Sequence, residues 1–175
     1  TYKLTVSKTD GIESVVVALG GTTLTGTIVE EGVEYVLYHG AEFEVTSTLM
    51  TGYSWKGYTC ADYTSAQLAD MTAILTMPIK DVAITANAEI DSYTLTIIYN
   101  GGKKADSSEN SETITQNYGT KISLPTLTRV GYAFGGWTKS ENFHGNLDEE
   151  NQTYTVAVGN DTITAIWNAI TYTVK

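Results

Sequence analysis

Only one cysteine, Cys60, occurs in 175 residues, and a lone thiol excludes both a disulfide within the chain and a cysteine-based zinc site. Proline is nearly missing too, at two residues, so little interrupts extended pairing. Histidine is equally scarce, which leaves His39 and His144 as the side chains that ordinarily titrate near neutral pH. Cations form the fourth shortage. Four lysines face eleven acids in residues 1–90, and six Lys or Arg face nine acids in residues 91–175, for a net charge of −10. Both halves repel phosphate backbones at long range, which argues against nucleic acid and anionic membrane as partners. The same acidic excess serves plain solubility. The sequence shows no hydrophobic run of spanning length, no signal peptide and no sorting tail, and membrane insertion is not expected.

What the chain does hold is a repeat. Gly52-Tyr53-Ser54-Trp55-Lys56-Gly57-Tyr58 returns as Gly131-Tyr132-Ala133-Phe134-Gly135-Gly136-Trp137, 79 residues later. At that offset His39-Gly40 meets Tyr118-Gly119, Ile84-Thr85-Ala86 meets Ile163-Thr164-Ala165, and Tyr93-Thr94 meets Tyr172-Thr173. A register kept without gaps from residue 39 to the end is an internal duplication. It divides the chain into a first module, residues 1–90, and a second, residues 91–169. Residues 170–175 repeat the opening strand, so a third unit is expected to begin there and the chain to be a piece of a longer array. The junction Ala88-Glu89-Ile90-Asp91-Ser92 contains neither Gly nor Pro, and adjacent units are expected nearly end to end with restricted swing.

β-Branched and aromatic residues dominate both halves, and the expected class is mainly β, α+β at most. Tyr2, Leu4 and Val6 alternate with polar neighbours, as do Phe43 and Val45 with Glu42, Glu44 and Thr46. Further strands are expected at 15–19, 24–29, 33–38, 74–77, 82–86, 154–158 and 162–167. One or two helical turns are expected over Ser65–Asp70, capped by Ser65. The first module is longer between its opening strand and the His-Gly turn: Tyr2 to His39 spans 37 positions where Tyr93 to Tyr118 spans 25. Extra hairpin residues account for the difference.

The repeated motif places three aromatics in seven residues. Strict strand alternation puts Tyr132, Phe134 and Gly136 on one face, and Ala133, Gly135 and Trp137 on the other. Rings of this size bury about 150–250 Å² each, the payload that a module of about 80 residues needs without disulfides or metal. The structural core of the repeat is therefore assigned to Tyr53, Trp55, Tyr58, Tyr132, Phe134, Trp137 and Trp167. A sugar-stacking platform is the alternative, disfavoured because no ring of polar side chains flanks the motif.

Tyr93-Thr94-Leu95-Thr96-Ile97, Asn100-Gly101-Gly102, Tyr118-Gly119, Pro125, residues 131–137 and Ile163-Thr164-Ala165-Ile166-Trp167 together resemble the Listeria–Bacteroides repeat, the B-repeat of internalin B. Residues 93–168 form the typical copy. Residues 1–90 resemble its divergent form, with Thr76-Met77-Pro78 and Asp81-Val82 before the last strand and Tyr58 where the family has Trp. The resemblance implies compact β-grasp-like modules, strung in tandem in secreted or wall-attached bacterial proteins between a recognition domain and an anchor, with no catalytic residues. One thiol in so Thr-, Gly- and Tyr-rich a chain also fits extracellular proteins of Gram-positive bacteria.

Other chemistry finds little support. His39 sits in the slot that Tyr118 fills in the second copy, and His144 lies in Asn142-Phe143-His144-Gly145-Asn146, expected to be a loop. An enzyme would need one of them gathered with a carboxylate and a nucleophile. Asn146, Asp148, Glu149, Glu150 and Asn151 offer oxygen ligands without the spacing or glycine of a calcium loop, so a solvated acidic loop is expected. A Lys–Asn isopeptide bond would require Lys56 or Lys121 to be buried. The chain reads as a non-enzymatic, monomeric spacer of a surface or secreted protein such as an adhesin, without cofactor or metal. The alternative is a module that itself contacts a host protein or glycan through residues 20–38, 103–112 or 140–151.

Overall fold

The computed structural model describes residues 1–105 and 107–172. It divides into two compact units, Thr1–Ile90 and Asp91–Lys175.

Unit 1 contains β1 (Tyr2–Lys8), β2 (Ile12–Leu19), β3 (Thr22–Thr23), β4 (Thr27–Val29), β5 (Gly32–Leu37), β6 (Glu42–Leu49), β7 (Tyr53–Thr59), β8 (Thr72–Thr76) and β9 (Val82–Ile90). They form a five-stranded sheet, β4-β5-β1-β9-β7, and a four-stranded one, β3-β2-β6-β8. At the centre of the first sheet, β1 and β9 run parallel, Leu4 opposite Val82 and Lys8 opposite Ala86. Their outer neighbours β5 and β7 are antiparallel. Alternation decides which side chains turn inward: Leu4 and Val6 from β1, Phe43 and Val45 from β6, and Ile84 and Ala86 from β9 share one core. Each large apolar side chain so buried contributes about 1.5–3 kcal/mol.

Unit 2 contains β10 (Ser92–Ile98), β11 (Lys103–Lys104), β12 (Ser111–Asn117), β13 (Lys121–Ser123), β14 (Leu127–Thr128), β15 (Tyr132–Lys139), β16 (Asn146–Asp148), β17 (Thr153–Thr155) and β18 (Asp161–Ala169). The main sheet, β12-β10-β18-β15, repeats the pattern, with β10 parallel to β18 at its centre. A separate core collects Leu95, Ile97, Tyr99, Trp137, Tyr154 and Ile163 among others. Equivalent strands keep the offset of 79: Tyr53 and Tyr132 open β7 and β15, Val82 and Asp161 open β9 and β18, and the pair Phe43–Leu75 becomes Ile122–Tyr154. The start of β2 corresponds to β11: Ile12 and Ser14 meet Leu49 and Thr48 as Lys103 and Lys104 meet Thr128 and Leu127. The extra residues of unit 1 prolong β2 along β6 and add β3 and β4, a place with no counterpart beside β13, whose small sheet runs β13-β17-β16.

Several expectations are corrected. Among the described residues there is no helix. Over 65–70 the chain makes hydrogen-bonded turns in which Thr64, rather than Ser65, donates from its N–H and its hydroxyl to Gln67 Oε1; so few residues give too few helical bonds to offset nucleation. Asn146–Asp148, expected to be solvated loop, is a strand that buries Leu147 and pairs with β17. The strand expected from residue 24 begins at Thr27, and the one expected over 154–158 runs only from Thr153 to Thr155. In the 170–175 segment, Ile170, Thr171 and Tyr172 carry no strand, and residues 173–175 of the expected third unit lie outside the described residues.

Candidate functional site

The aromatic motif lies on β7 and β15, the strands that flank β9 and β18 at one margin of each main sheet. Neither is regular. The pairing slips between Trp55 and Gly57 in one and between Phe134 and Trp137 in the other. Gly57 and Gly136 occupy the slip at φ +91° and +107°, a region that a side chain disfavours. The extra residue resets the alternation, so rings expected on opposite faces meet. Trp55 and Tyr58 contact edge to face at 4.7 Å, and Phe134 and Trp137 at 5.1 Å. Phe134 also meets Trp167 at 5.6 Å.

The seven assigned residues therefore divide. Tyr58 and Trp137 are core, 6% and 4% exposed. Trp55 and Trp167 are half-buried against their cores, and Tyr53 is half-buried. Tyr132 and Phe134 are not core: each is 37% exposed. They precede the bulge on an edge strand, where part of each ring packs on Arg129 or the tryptophans and the remainder meets solvent. Trp55, the equivalent of Phe134, is held more firmly because its indole N–H donates to the Ala69 carbonyl at 2.6 Å.

Tyr58 in a tryptophan slot has a clear accommodation. Its hydroxyl lies 2.8 Å from Ser47 Oγ and within 2.7 and 3.1 Å of the Met71 and Val45 carbonyls, so the buried polar atom is satisfied. Burial raises its pKa despite the bond from Ser47. Trp137 meets the same requirement by donating to Gln152 Oε1 at 3.2 Å.

Sequence reasoning missed a buried carboxylate. Asp161, 2% exposed, accepts hydrogen bonds from the Tyr154 hydroxyl at 2.6 Å, the Gly145 N–H at 2.7 Å and the His144 N–H at 2.8 Å, with His144 Nδ1 at 3.1 Å. Burial alone would push the carboxyl up; the bonds from Tyr154, His144 and Gly145 outweigh it and hold Asp161 below the usual range. Burial first, then the bond to Asp161, pushes the Tyr154 hydroxyl well above its ordinary value. At the same offset unit 1 has Val82 and Leu75, both buried. A polar pair in slots that the other copy fills with apolar residues was the readable signal.

This cluster is what brings a histidine to a carboxylate. The Asp161 oxygens are occupied in fastening residues 144 and 145 to the start of β18, and no serine, threonine or cysteine is hydrogen-bonded to His144 among the described residues. His39 Nδ1 instead lies 3.3 Å from the Met77 carbonyl. Asp148 accepts from the Asn151 side chain and backbone at 2.8 and 3.0 Å, which lowers its pKa and closes a local turn. Among the described residues no three His, Cys, Asp or Glu side chains converge as metal ligands would. Lys56 is exposed and paired with Glu89 at 2.6 Å, and Lys121 is exposed, so neither supplies the buried amine an isopeptide bond requires. Cys60 is half-buried, and burial pushes its thiol pKa up.

Residues 93–166 match the Listeria-Bacteroides repeat domain, and residues 15–91 match the Divergent InlB B-repeat domain. The chain thus carries a divergent InlB B-repeat and a Listeria–Bacteroides repeat in tandem over residues 15–166. No curated protein matches it. Among solved structures, the Bacillus anthracis TIE protein aligns at 14% identity and a TM-score of 0.48, over 93% of this chain and 32% of that one. The chain thus spans about a third of that protein's length. Listeria–Bacteroides repeats are generally non-enzymatic structural modules and occur in bacterial surface or secreted proteins.

Proposed function

We propose that the two repeats form a non-catalytic spacer within a bacterial cell-surface or secreted protein, an adhesin stalk that sets the distance between what recognises and what anchors. The observation that carries this reading is the position of the terminal strands. In each unit the first and last strands are parallel neighbours at the centre of the main sheet, β1 with β9 and β10 with β18. Tension applied along the chain pulls such strands in opposite directions along their length, so the whole ladder of hydrogen bonds shares the load rather than parting rung by rung. Each unit also has its own core, and β9 is followed by a single residue, Asp91, before β10. Units built in this way add length without sharing stability.

The test removes a repeat from the parent protein displayed on cells. Deleting residues 91–169 should shorten reach by about 30 Å, twice the radius of gyration plus the shell expected of so small a domain, with adhesive affinity unchanged. Substituting the exposed side chains of segments 20–38, 103–112 or 140–151, with buried Tyr35, Leu37 and Leu147 kept, should leave adhesion intact. Adhesion that disappears on loop substitution while the fold survives would instead favour a module that binds directly.

A further inference from the structure

Beside β15 in unit 2 lies an open groove of about 540 Å³, lined by Gly101, Lys103, Thr128, Arg129, Val130 and Tyr132. Arg129 is the single arginine of the chain. Its guanidinium lies over the Tyr132 ring at 4.0 Å and donates through Nη1 to the Asn100 carbonyl at 3.1 Å. A side chain at position 101 would crowd it, since a Cβ there would stand 3.3 Å from Arg129 Cζ. The fork is thereby held in place before any ligand arrives, and one N–H engaged with a carbonyl leaves other donors free. Lys103 lies opposite Thr128 in the β11–β14 ladder. Among the described residues no carboxylate pairs with Arg129 or Lys103, whereas neighbouring Lys104 is paired with Glu112 at 2.7 Å. Two uncompensated cations beside an exposed ring are out of place on a surface with net charge −10.

Unit 1 has a groove at the equivalent place, about 300 Å³, lined by Lys8, Thr9, Asp10, Gly11, Ile12, Met50 and Tyr53. Met50 stands where unit 2 has Arg129, and Lys8 is engaged by the Ile12 and Glu13 carbonyls at 2.7 Å. The fold therefore supplies the depression in both copies. The cationic chemistry belongs to unit 2.

We propose that this unit 2 groove binds an acidic sugar, its carboxylate on Arg129 and Lys103 and its ring against the exposed part of Tyr132. The volume falls within the range of small-ligand sites, about 300–1,000 Å³. A carboxylate matches the guanidinium fork and forms charge-assisted bonds. An acidic peptide is the poorer fit, because several main-chain groups lining the groove are already engaged: β11 pairs with β14, the Gly102 N–H binds the Tyr99 carbonyl, the Tyr132 N–H binds the Arg129 carbonyl and the Gly131 carbonyl accepts from Ile170. Recognition is left to side chains, which suits a ring bearing hydroxyls and one acid. The site goes beyond the spacer role, which stands or falls separately.

The experiment titrates the whole chain with trigalacturonate, and in parallel with neutral maltotriose, triglutamate and inorganic phosphate, while NMR follows the Arg129 side-chain N–H and the Tyr132 ring. Trigalacturonate should give saturable shifts confined to the groove. Arg129→Met should weaken it about tenfold or more, the loss expected for a charge-assisted hydrogen bond, and Lys103→Gln should weaken it as well. Arg129→Met copies the residue that unit 1 already carries at Met50, and unchanged amide shifts outside the groove show that the fold is kept. Should that variant unfold, Lys103→Gln, altering an exposed side chain, decides in its place. Absence of saturable shifts, unchanged affinity in the variants, or equal binding of maltotriose, triglutamate or phosphate overturns the proposal.

Discussion

Phe134 and Trp137, three positions apart on one strand, meet edge to face at 5.1 Å. In a regular strand an odd separation sends two side chains to opposite faces; the slip at Gly135-Gly136 puts them together, as the slip before Gly57 joins Trp55 and Tyr58.

The bulge should therefore be the most sensitive backbone position of each motif. Gly136→Ala places a Cβ at φ +107° and should destabilise unit 2 by about 1–3 kcal/mol, the usual cost of a strained backbone conformation. The change should appear in the urea midpoint of the unit 2 transition, with the unit 1 transition unmoved.

Tyr58→Phe tests the accommodation in unit 1. Removing the hydroxyl leaves Ser47, 3% exposed, without that partner, and loss of a buried hydrogen bond costs about 1–3 kcal/mol. Chemical denaturation should show that loss in unit 1. A cost near zero would mean that Ser47 finds another acceptor.

Asp161 gives the two units different responses to acid. Its folded pKa is depressed, so its contribution is complete above the unfolded value of about 3.9 and is lost as pH falls through the folded value. Tyr154 works in the opposite sense: its folded pKa is raised, so its contribution is complete below about pH 10 and is lost as pH climbs towards the folded value. Asp161→Asn should cost about 2–4 kcal/mol at neutral pH through mismatched donors and flatten the acid limb of the unit 2 stability curve. Unit 1, with Val82 and Leu75 in these slots, should show no such change.

These positions also mark how far the sequence could be read. The duplication, most of the strands and the lean second unit follow from spacing and alternation alone, and the strands holding Leu4, Phe43 and Ile163 fall where alternation required them. Other features did not follow. A bulge obeys no period, so Phe134 and Tyr132 were placed inside when only Trp137 turns inward. Nothing near Asp161 in the chain marks it as buried, since solvation is the default for carboxylates; its burial depends on donors from Tyr154 and residues 144–145 that meet only in the folded unit. The groove at Arg129 is likewise absent from any linear pattern, since Asn100, Lys103 and Tyr132 converge through pairing rather than through proximity in the chain.

Each unit holds its own core and is proposed to carry tension through its paired terminal strands. Pulling the chain from its ends in a single-molecule force experiment examines this directly, since forced unfolding follows the unfolding rate. Two separate rupture events are expected, each releasing roughly 250–300 Å of chain at about 3.3–3.6 Å per extended residue, and each at a force well above that of the same unit pulled across a hairpin such as β4–β5. A single event releasing both units together, or gradual extension without a force peak, would contradict it.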